Sequence, residues 1–329
     1  MSSSKVLFLN RSSIAQLLTL EDCIPAVETA FALHARGAAL QPGLLHVAAI
    51  GGEFHIKVGG LKGERTYFAA KINGGFFGNR RAFGLPNILG LIVLYDGTTG
   101  LPLAVMESGL VTRLRTGAAT AVAARYLARP ESRCVTICGA GIQAEVQLRA
   151  LQAVLPLERA FVWSRSGAEV LADTMRSQLS MAVESVTDLR EASCVSDVIV
   201  TCTPAKKWFL GREHVRAGTF IAAVGADSPD KGEIEPQLLA EASVVPDLLS
   251  QAIHVGDWHH AVAEKLVKPE QIRGELGAVI TGVARARMNS AEIIVFDSTG
   301  TALQDTAAAA VVYEKAMRLG YGTSLALWD

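Results

Sequence analysis

Residues 133–150, RCVTICGAGIQAEVQLRA, constrain the fold of this chain more than any other stretch. Residues 134–138 are a short apolar, β-branched run that suits a strand buried on both faces. The turn that follows, Gly139-Ala140-Gly141-Ile142-Gln143-Ala144, has the form G-x-G-x-x-A. In that form the first glycine permits a tight turn and the second lets a pyrophosphate approach the backbone, while the small sixth residue lets helix and strand pack closely. Val146, Leu148 and Leu151 continue it as a helix whose free N–H groups and dipole face a phosphate. Such a turn alone is a weak sign. Here a strand precedes it, a helix follows it, and a second strand at residues 159–165 stands where a dinucleotide site requires one.

The end of that second strand bears on the dinucleotide. A site for NAD(H) usually has an Asp or Glu there for the ribose 2′-hydroxyl, whereas a 2′-phosphate needs cationic and hydroxyl groups. This chain has Ser164-Arg165-Ser166. An arginine between two serines can bond a phosphate, and no carboxylate is there to repel it, so NADP(H) is favoured over NAD(H).

A length of 329 residues allows two domains and a sizeable core. With a net charge of −1, nothing favours nucleic acid or an anionic membrane as a partner. The apolar stretches are broken by charges or glycines before membrane-spanning length, and MSSSKVLFLNRSS has no long apolar region followed by a cleavage site. A cytoplasmic location is therefore expected. The cysteines at 23, 134, 138, 194 and 202 are odd in number and lack zinc-ligand spacing beside histidines, so reduced thiols are expected. His34 has no neighbour to share a metal, and no metal site is expected.

Elsewhere the pattern divides the chain. Thr19, with Asp22 three residues on, predicts a helix start close to a capping box, the helix running to about Arg36. Residues 46–108 are short runs such as EFHIKVGG, YFAAKING, NILGLIVLYD and LPLAVME between glycine-rich turns, which predicts a largely antiparallel layer. An alanine-rich helix over 111–127 leads into the glycine turn. Beyond it, predicted strands at 160–165, 197–202, 219–225, 243–247 and 292–296 alternate with helices as in a doubly wound sheet. A long helix spans 302–319. The expected fold is α/β: a Rossmann-type doubly wound domain over residues 115–310, and a β-rich α+β domain over 1–114 joined by 311–329.

Several polar residues stand where they could carry chemistry. Asp227 follows the apolar run FIAAVG, and a carboxylate at a strand's C-terminal end is a candidate proton donor or acceptor; a turn-forming Asp before Ser-Pro is the alternative. Lys71 lies inside the apolar strand YFAAKING, so its ammonium needs an anionic partner, or else it snorkels from an edge. Arg113 and Arg115 open the alanine-rich helix, and only one of the two can face a cleft. In EFHIKVGG, alternation puts Phe54, Ile56 and Val58 on one face and His55 and Lys57 on the other. The apolar three are expected in the core, which leaves the polar pair facing solvent or a cleft.

Taken together, AAKING, LRTGAATAVAARYLA, CGAGIQA, TCTPA, VGADSPDKGE and FDSTGTALQD give the chain, from about residue 5 to 325, a sequence that resembles the ornithine cyclodeaminase/μ-crystallin family. The resemblance implies a subunit in which both chain ends form a substrate-binding and dimerisation domain around a Rossmann domain, and a homodimer. It implies that Lys71 and Arg115 bind or activate the carboxylate end of a small anionic amino or imino acid, with Asp227 as acid/base near the reacting nitrogen. Thr116, Gly139, Gly141, Ile142, Gln143, Ser164, Arg165 and Ser166 would hold the dinucleotide, with Thr203, Ser298, Thr299 and Gly300 near its nicotinamide half. Many members have an arginine near position 43 for the substrate carboxylate; this chain reads QPGLLHV there and carries His55 and Lys57 on the next strand. A cation from Lys57 in place of that arginine, or a second anionic group on the substrate, are two physical accounts. The leading function is NAD(P)H-dependent reduction of a small α-imino acid, equivalently amino-acid dehydrogenation. An ornithine-type cyclodeaminase with tightly held NAD+ and a nonenzymatic NADPH-dependent ligand-binding protein are the alternatives.

Overall fold

The computed structural model describes residues 5–327, which group into two compact units, 5–115 with 301–327 and 116–300. In the first unit the strands are β1 (Lys5–Leu9), β2 (Ala39–Ala49), β3 (Gly52–Lys62), β4 (Thr66–Gly75), β5 (Ile88–Asp96), β6 (Pro102–Glu107) and, last in the chain, β14 (Thr323–Ala326). They form one sheet in the order β14-β1-β6-β5-β4-β3-β2. All its pairs are antiparallel except β1 with β6. The helix Leu20–Ala35 begins where the sequence predicts: the Asp22 N–H donates to Thr19 Oγ1 at 3.3 Å and the Thr19 N–H to the Asp22 carboxylate at 3.0 Å. Such a box is worth about 1 kcal/mol. The helix Ala302–Leu319 lies against the sheet, and Lys315 Nζ, 2.6 Å from Asp22 Oδ2, ties the two helices together.

One contact fixes that helix closely. Thr306 Oγ1 donates to the Gly59 carbonyl at 3.0 Å, and a Cβ on Gly59 would meet Ala302 Cβ at 3.1 Å. Only a strand without a side chain there admits the helix backbone so near. The helix therefore stands directly over the face carrying His55 and Lys57, the residues two and four before Gly59.

The second unit is a parallel sheet of β7 (Cys134–Cys138), β8 (Arg159–Trp163), β9 (Ala182–Val186), β10 (Val198–Thr201), β11 (Phe220–Ala223), β12 (Ser243–Pro246) and β13 (Ile294–Asp297). Their order is β12-β13-β11-β10-β7-β8-β9, with every pair parallel. This is the doubly wound arrangement, and β7, carrying the glycine turn, sits between β10 and β8, where the order reverses and open α/β sheets bind ligands.

Three expectations are corrected. The second unit ends at Gly300 rather than 310, because the Ala302–Leu319 helix packs as one piece and cannot be divided between cores. Strands β9 and β14 were not anticipated; β9 is short and interrupted by Glu184, and β14 is exposed throughout, so neither carries an apolar run. On β3 the faces are the reverse of those expected: Phe54 is exposed and Ile56 and Val58 are half-buried, while His55 and Lys57 are buried. The polar pair lies under the helix, and the apolar residues lie on the sheet's other face.

Candidate active site

The first unit buries a cluster of charge on its inner face. Lys57 and Lys71 are direct cross-strand partners on β3 and β4, 4% and 2% exposed. Opposite them Asp305, 1% exposed on the Ala302–Leu319 helix, receives Lys71 Nζ at 2.6 Å on one oxygen and Arg115 Nε at 2.9 Å on the other. Arg115 NH1 also donates to Gln304 Oε1 at 2.5 Å. Of the two arginines that open the helix Ser108–Leu127, it is Arg115 that is buried, Arg113 being half-buried. Burial, reinforced by the Arg115 charge, brings the Lys71 ammonium down from 10.5 to about 7, although Asp305 opposes the fall. Burial would push the Asp305 carboxyl up, but Arg115 and Lys71 outweigh it and hold the group below its ordinary value. Lys71 can thus give or take a proton at neutral pH, next to a guanidinium that cannot.

His55, two residues before Lys57 on the same face, pairs with His46 of β2 and with Asn73 of β4. Asn73 in turn accepts a hydrogen bond from Ser108 Oγ at 2.6 Å. The inner face is therefore polar along one end of β3 and β4 and apolar at the other, where Leu61, Ala69, Ile92 and Leu94 are buried.

In the second unit the glycine turn brings bare backbone to a helix N-terminus. Gly139 has φ 132°, open to glycine, and a Cβ there would strike Cys202 Sγ and its carbonyl at 3.0 and 3.1 Å. A Cβ on Gly141 would meet nothing within 4 Å, so the space above the N-terminus of helix Ile142–Gln152 is clear. Gly117 presses on Val146, where a Cβ would come within 2.9 Å, so the small residues after Arg115 serve helix packing beside the turn. The loop after β8 returns to the same place: Gly167, at φ 79°, would set a Cβ 3.7 Å from Ala140 Cβ. Arg165 and Ser166 are exposed on that loop and Ser164 is half-buried. The bare turn, the helix N-terminus and the adjoining Ser164–Ser166 loop fit a dinucleotide.

Four buried carboxylates at the C-terminal edge of this sheet were missed by the sequence reading, and they shape the loops. Glu233 accepts from the Thr203 N–H at 2.6 Å, the Thr203 hydroxyl at 2.7 Å and the Gly225 N–H at 2.9 Å, joining the segments after β10 and β11. Asp257 accepts the Glu233 and Ile234 N–H groups, and Asp297 accepts those of Asp257 and Trp258. Asp247 accepts from the Thr299 hydroxyl and the Gly300 N–H, both at 2.7 Å. Burial is the main cause that raises the carboxyl groups of Glu233, Asp257 and Asp297 above their ordinary values. Thr203 and residues 298–300 are thereby held in fixed loops, with the Ser298 side chain buried. Thr116 is buried as well.

Asp227 lies beyond β11 with its side chain 41% exposed, and its Oδ1 receives Lys231 Nζ at 2.6 Å. The next acid, Asp230, accepts from Ser228 Oγ at 2.8 Å and pairs with Lys206. Asp227 and Asp230 are thus both accessible carboxylates of this loop, each paired with a lysine.

The chain matches the family model described as the ornithine cyclodeaminase/mu-crystallin family over residues 4–319. It belongs to that family. Among solved structures it is similar to an archaeal alanine dehydrogenase dimer with bound NAD, at TM-score 0.94 and 35% identity over 98% of this chain and 100% of the other. It is also similar to the Thermococcus litoralis Delta(1)-pyrroline-2-carboxylate reductase in complex with NADH and L-proline, at TM-score 0.92 and 32% identity, covering 97% and 100% of the two chains. A third likeness is to the iminosuccinate reductase of Paracoccus denitrificans in complex with NAD+, at TM-score 0.90 and 32% identity over 98% and 99%. No helix among the described residues is long and apolar enough to cross a membrane.

Proposed function

We propose that this family member is an NAD(P)H-dependent reductase of a small α-imino acid, working in the opposite direction as an amino-acid dehydrogenase. The observation that carries this is the buried Lys71–Asp305–Arg115 group. A substrate carboxylate bonds to the Arg115 guanidinium and the Lys71 ammonium, cations already fixed by Asp305, so little ordering is left for binding to supply. Lys71 has a second use, because its value of about 7 allows it to pass a proton to the imine nitrogen. Asp227 serves as the acid/base that manages the proton on the amine product. The nicotinamide, when bound, supplies or accepts the hydride at the α-carbon.

Lys57 and His55 extend the polar face beyond Lys71 and give the substrate's other end a cation and an imidazole to meet. A second anionic group on the substrate suits this end best, since Lys57 adds a further cation beside Lys71 on the same face. Thr116, Gly139, Gly141, Ile142 and Gln143 receive the pyrophosphate, and Thr203, Ser298, Thr299 and Gly300 the nicotinamide half. We assign NADPH as the preferred donor because Ser164, Arg165 and Ser166 present a cation and hydroxyls without a carboxylate. A homodimer is supported by the sheet's outer face. There Leu45, Ile72 and Leu91 line one row across β2 to β5 and Val47, Phe54 and Leu89 the next, all 37% exposed or more. The five free cysteines are in keeping with a cytoplasmic setting.

The test is oxidation of NADPH and NADH with a panel of imines: cyclic imino acids, and the imines formed by ammonia with pyruvate and with oxaloacetate. Saturable oxidation dependent on one of these supports the proposal. Conversion of ornithine to proline with no net change in cofactor would instead identify a cyclodeaminase, and binding without turnover a ligand carrier.

A further inference from the structure

The antiparallel pairing of β2 and β3 brings together three donors that are far from metal-ligand spacing in sequence. His46 and His55 are direct cross-strand partners, and Glu53 lies two residues before His55 on the same face. The rings stand edge to face with centroids 4.9 Å apart. His46 Nε2 is 2.7 Å from Glu53 Oε2 and His55 Nε2 is 3.1 Å from Glu53 Oε1, and one donor atom from each residue falls within 4.8 Å of the others. We propose that His46, Glu53 and His55 bind a divalent transition-metal ion, with Zn2+ as the ion of choice.

The three donors already converge on one point between the strands. Tetrahedral zinc at about 2.0–2.2 Å from nitrogen and oxygen donors places those donors roughly 3.3 Å from one another. The separations of 2.7 and 3.1 Å run to the two different oxygens of Glu53, and one donor atom from each residue lies within 4.8 Å of the others, so side-chain rotation suffices to close the set on one ion. Both imidazoles turn Nε2 inward, so each can keep its ring proton on Nδ1 and remain neutral as a ligand. Two imidazoles with one carboxylate, and no sulfur, suit zinc and not calcium or magnesium, which take oxygen donors. Three protein ligands leave a fourth position open to water or to a carboxylate oxygen, as in sites that bind substrate and unlike closed structural sites. The sequence spacing, with His46 and His55 nine residues apart, conceals the set; strand register assembles it. The inference does not depend on the proposed reductase activity, since its readout is the ion itself.

The full chain, stripped with chelator, is dialysed against Zn2+ and its metal content and affinity measured, with Co2+ as a spectroscopic probe. One Zn2+ per chain is expected, together with a visible Co2+ spectrum of four-coordinate character. His46→Ala, at a half-exposed position, and Glu53→Gln, which keeps shape, should each weaken the ion by about a hundredfold or more, beyond the 10- to 100-fold typical of losing an outer partner. Both should leave the metal-free melting temperature and NADPH binding unchanged. Absence of a bound ion overturns the proposal. So does an ion held equally by wild type and both variants, which would place it at other histidines such as the stacked His259 and His260.

Discussion

Replacing Asp305 by asparagine removes one charge from the centre of the buried cluster while preserving its shape. In the parent chain the carboxylate touches Lys71 at 2.6 Å and Arg115 at 2.9 Å, with all three side chains 5% exposed or less. Two unit charges whose centres are about 4 Å apart attract by about 4 kcal/mol at the effective dielectric of about 20 that suits such sites. The asparagine carbonyl still accepts a hydrogen bond, recovering about 1 kcal/mol. The remaining 3 kcal/mol or so corresponds to roughly 2 pH units at about 1.4 kcal/mol each. Lys71, at about 7 in the parent, should therefore titrate near 5 in Asp305→Asn. If protonated Lys71 supplies the imine proton, reduction falls as pH rises through 7 in the parent and through about 5 in the variant. At pH 7 the variant should then be slower by about 50-fold, and at pH 5 most of the deficit should vanish. The assay is a pH profile of kcat for NADPH oxidation. Stability gives a second reading. Folded Lys71 has a lower value than the unfolded 10.5, so the unfolded state binds more protons between about 7 and 10.5, and stability rises with pH across that window. In the variant the rise should begin near pH 5, after a loss of about 3–5 kcal/mol from the broken buried pair at acid pH. An inflection that stays at 7 in a folded variant would refute the assignment of that step to Lys71.

Further substitutions separate the other roles. Arg165→Ala should weaken NADPH by about 1–3 kcal/mol and leave NADH little changed; equal losses would show that Arg165 does not meet the phosphate. Asp227→Asn should lower turnover by about a hundredfold or more while NADPH still binds and the fold stays intact, its side chain being 41% exposed; an active variant removes Asp227 from the reaction. Lys57→Met should raise the KM for a dianionic substrate more than for one lacking the second anionic group, with the cofactor's affinity unmoved, and a uniform change would argue against Lys57 meeting the substrate.

The second unit was legible because its signals are local. A glycine that must adopt φ 132°, with Cys202 against the place of its missing side chain, is a demand on a single position that glycine meets. Strand-length apolar runs between such turns gave the parallel sheet, since strands buried on both faces need no alternation. The first unit was legible as to type and misread as to side. Alternation in EFHIKVGG states that two faces differ, and it does not state which is inside. The usual rule assigns the apolar face inward, and β3 breaks it because one face meets the Ala302–Leu319 helix at a polar cluster while the other presents apolar side chains outward.

The candidate site shows the same limit in its charges. Lys71 was noticed because a lysine inside an apolar strand asks for a partner, yet the partner lies 234 positions later, in an alanine-rich helix. A buried cation implies an anion somewhere, and only packing states where. The signal was present in ALQDTAAAA: an aspartate in the first turn of a helix that is otherwise mostly alanine is as costly to bury as the lysine, and the two costs are offset by pairing. The four carboxylates at the edge of the parallel sheet follow a related logic. Asp297 ends β13 and Asp247 follows β12, while Glu233 and Asp257 lie in loops well beyond a strand, and in all these places a turn-forming acid is the ordinary expectation. Their distinction is that they accept backbone N–H groups from loops remote in sequence, Asp297 holding residues 257 and 258 and Asp247 holding residues 299 and 300. Removing one leaves those N–H groups buried and unpaired, at about 1–3 kcal/mol each. Such residues shape a binding edge without touching what binds there, which is why motif-based reasoning selects Thr203 and Gly300 and passes over the acids that hold them.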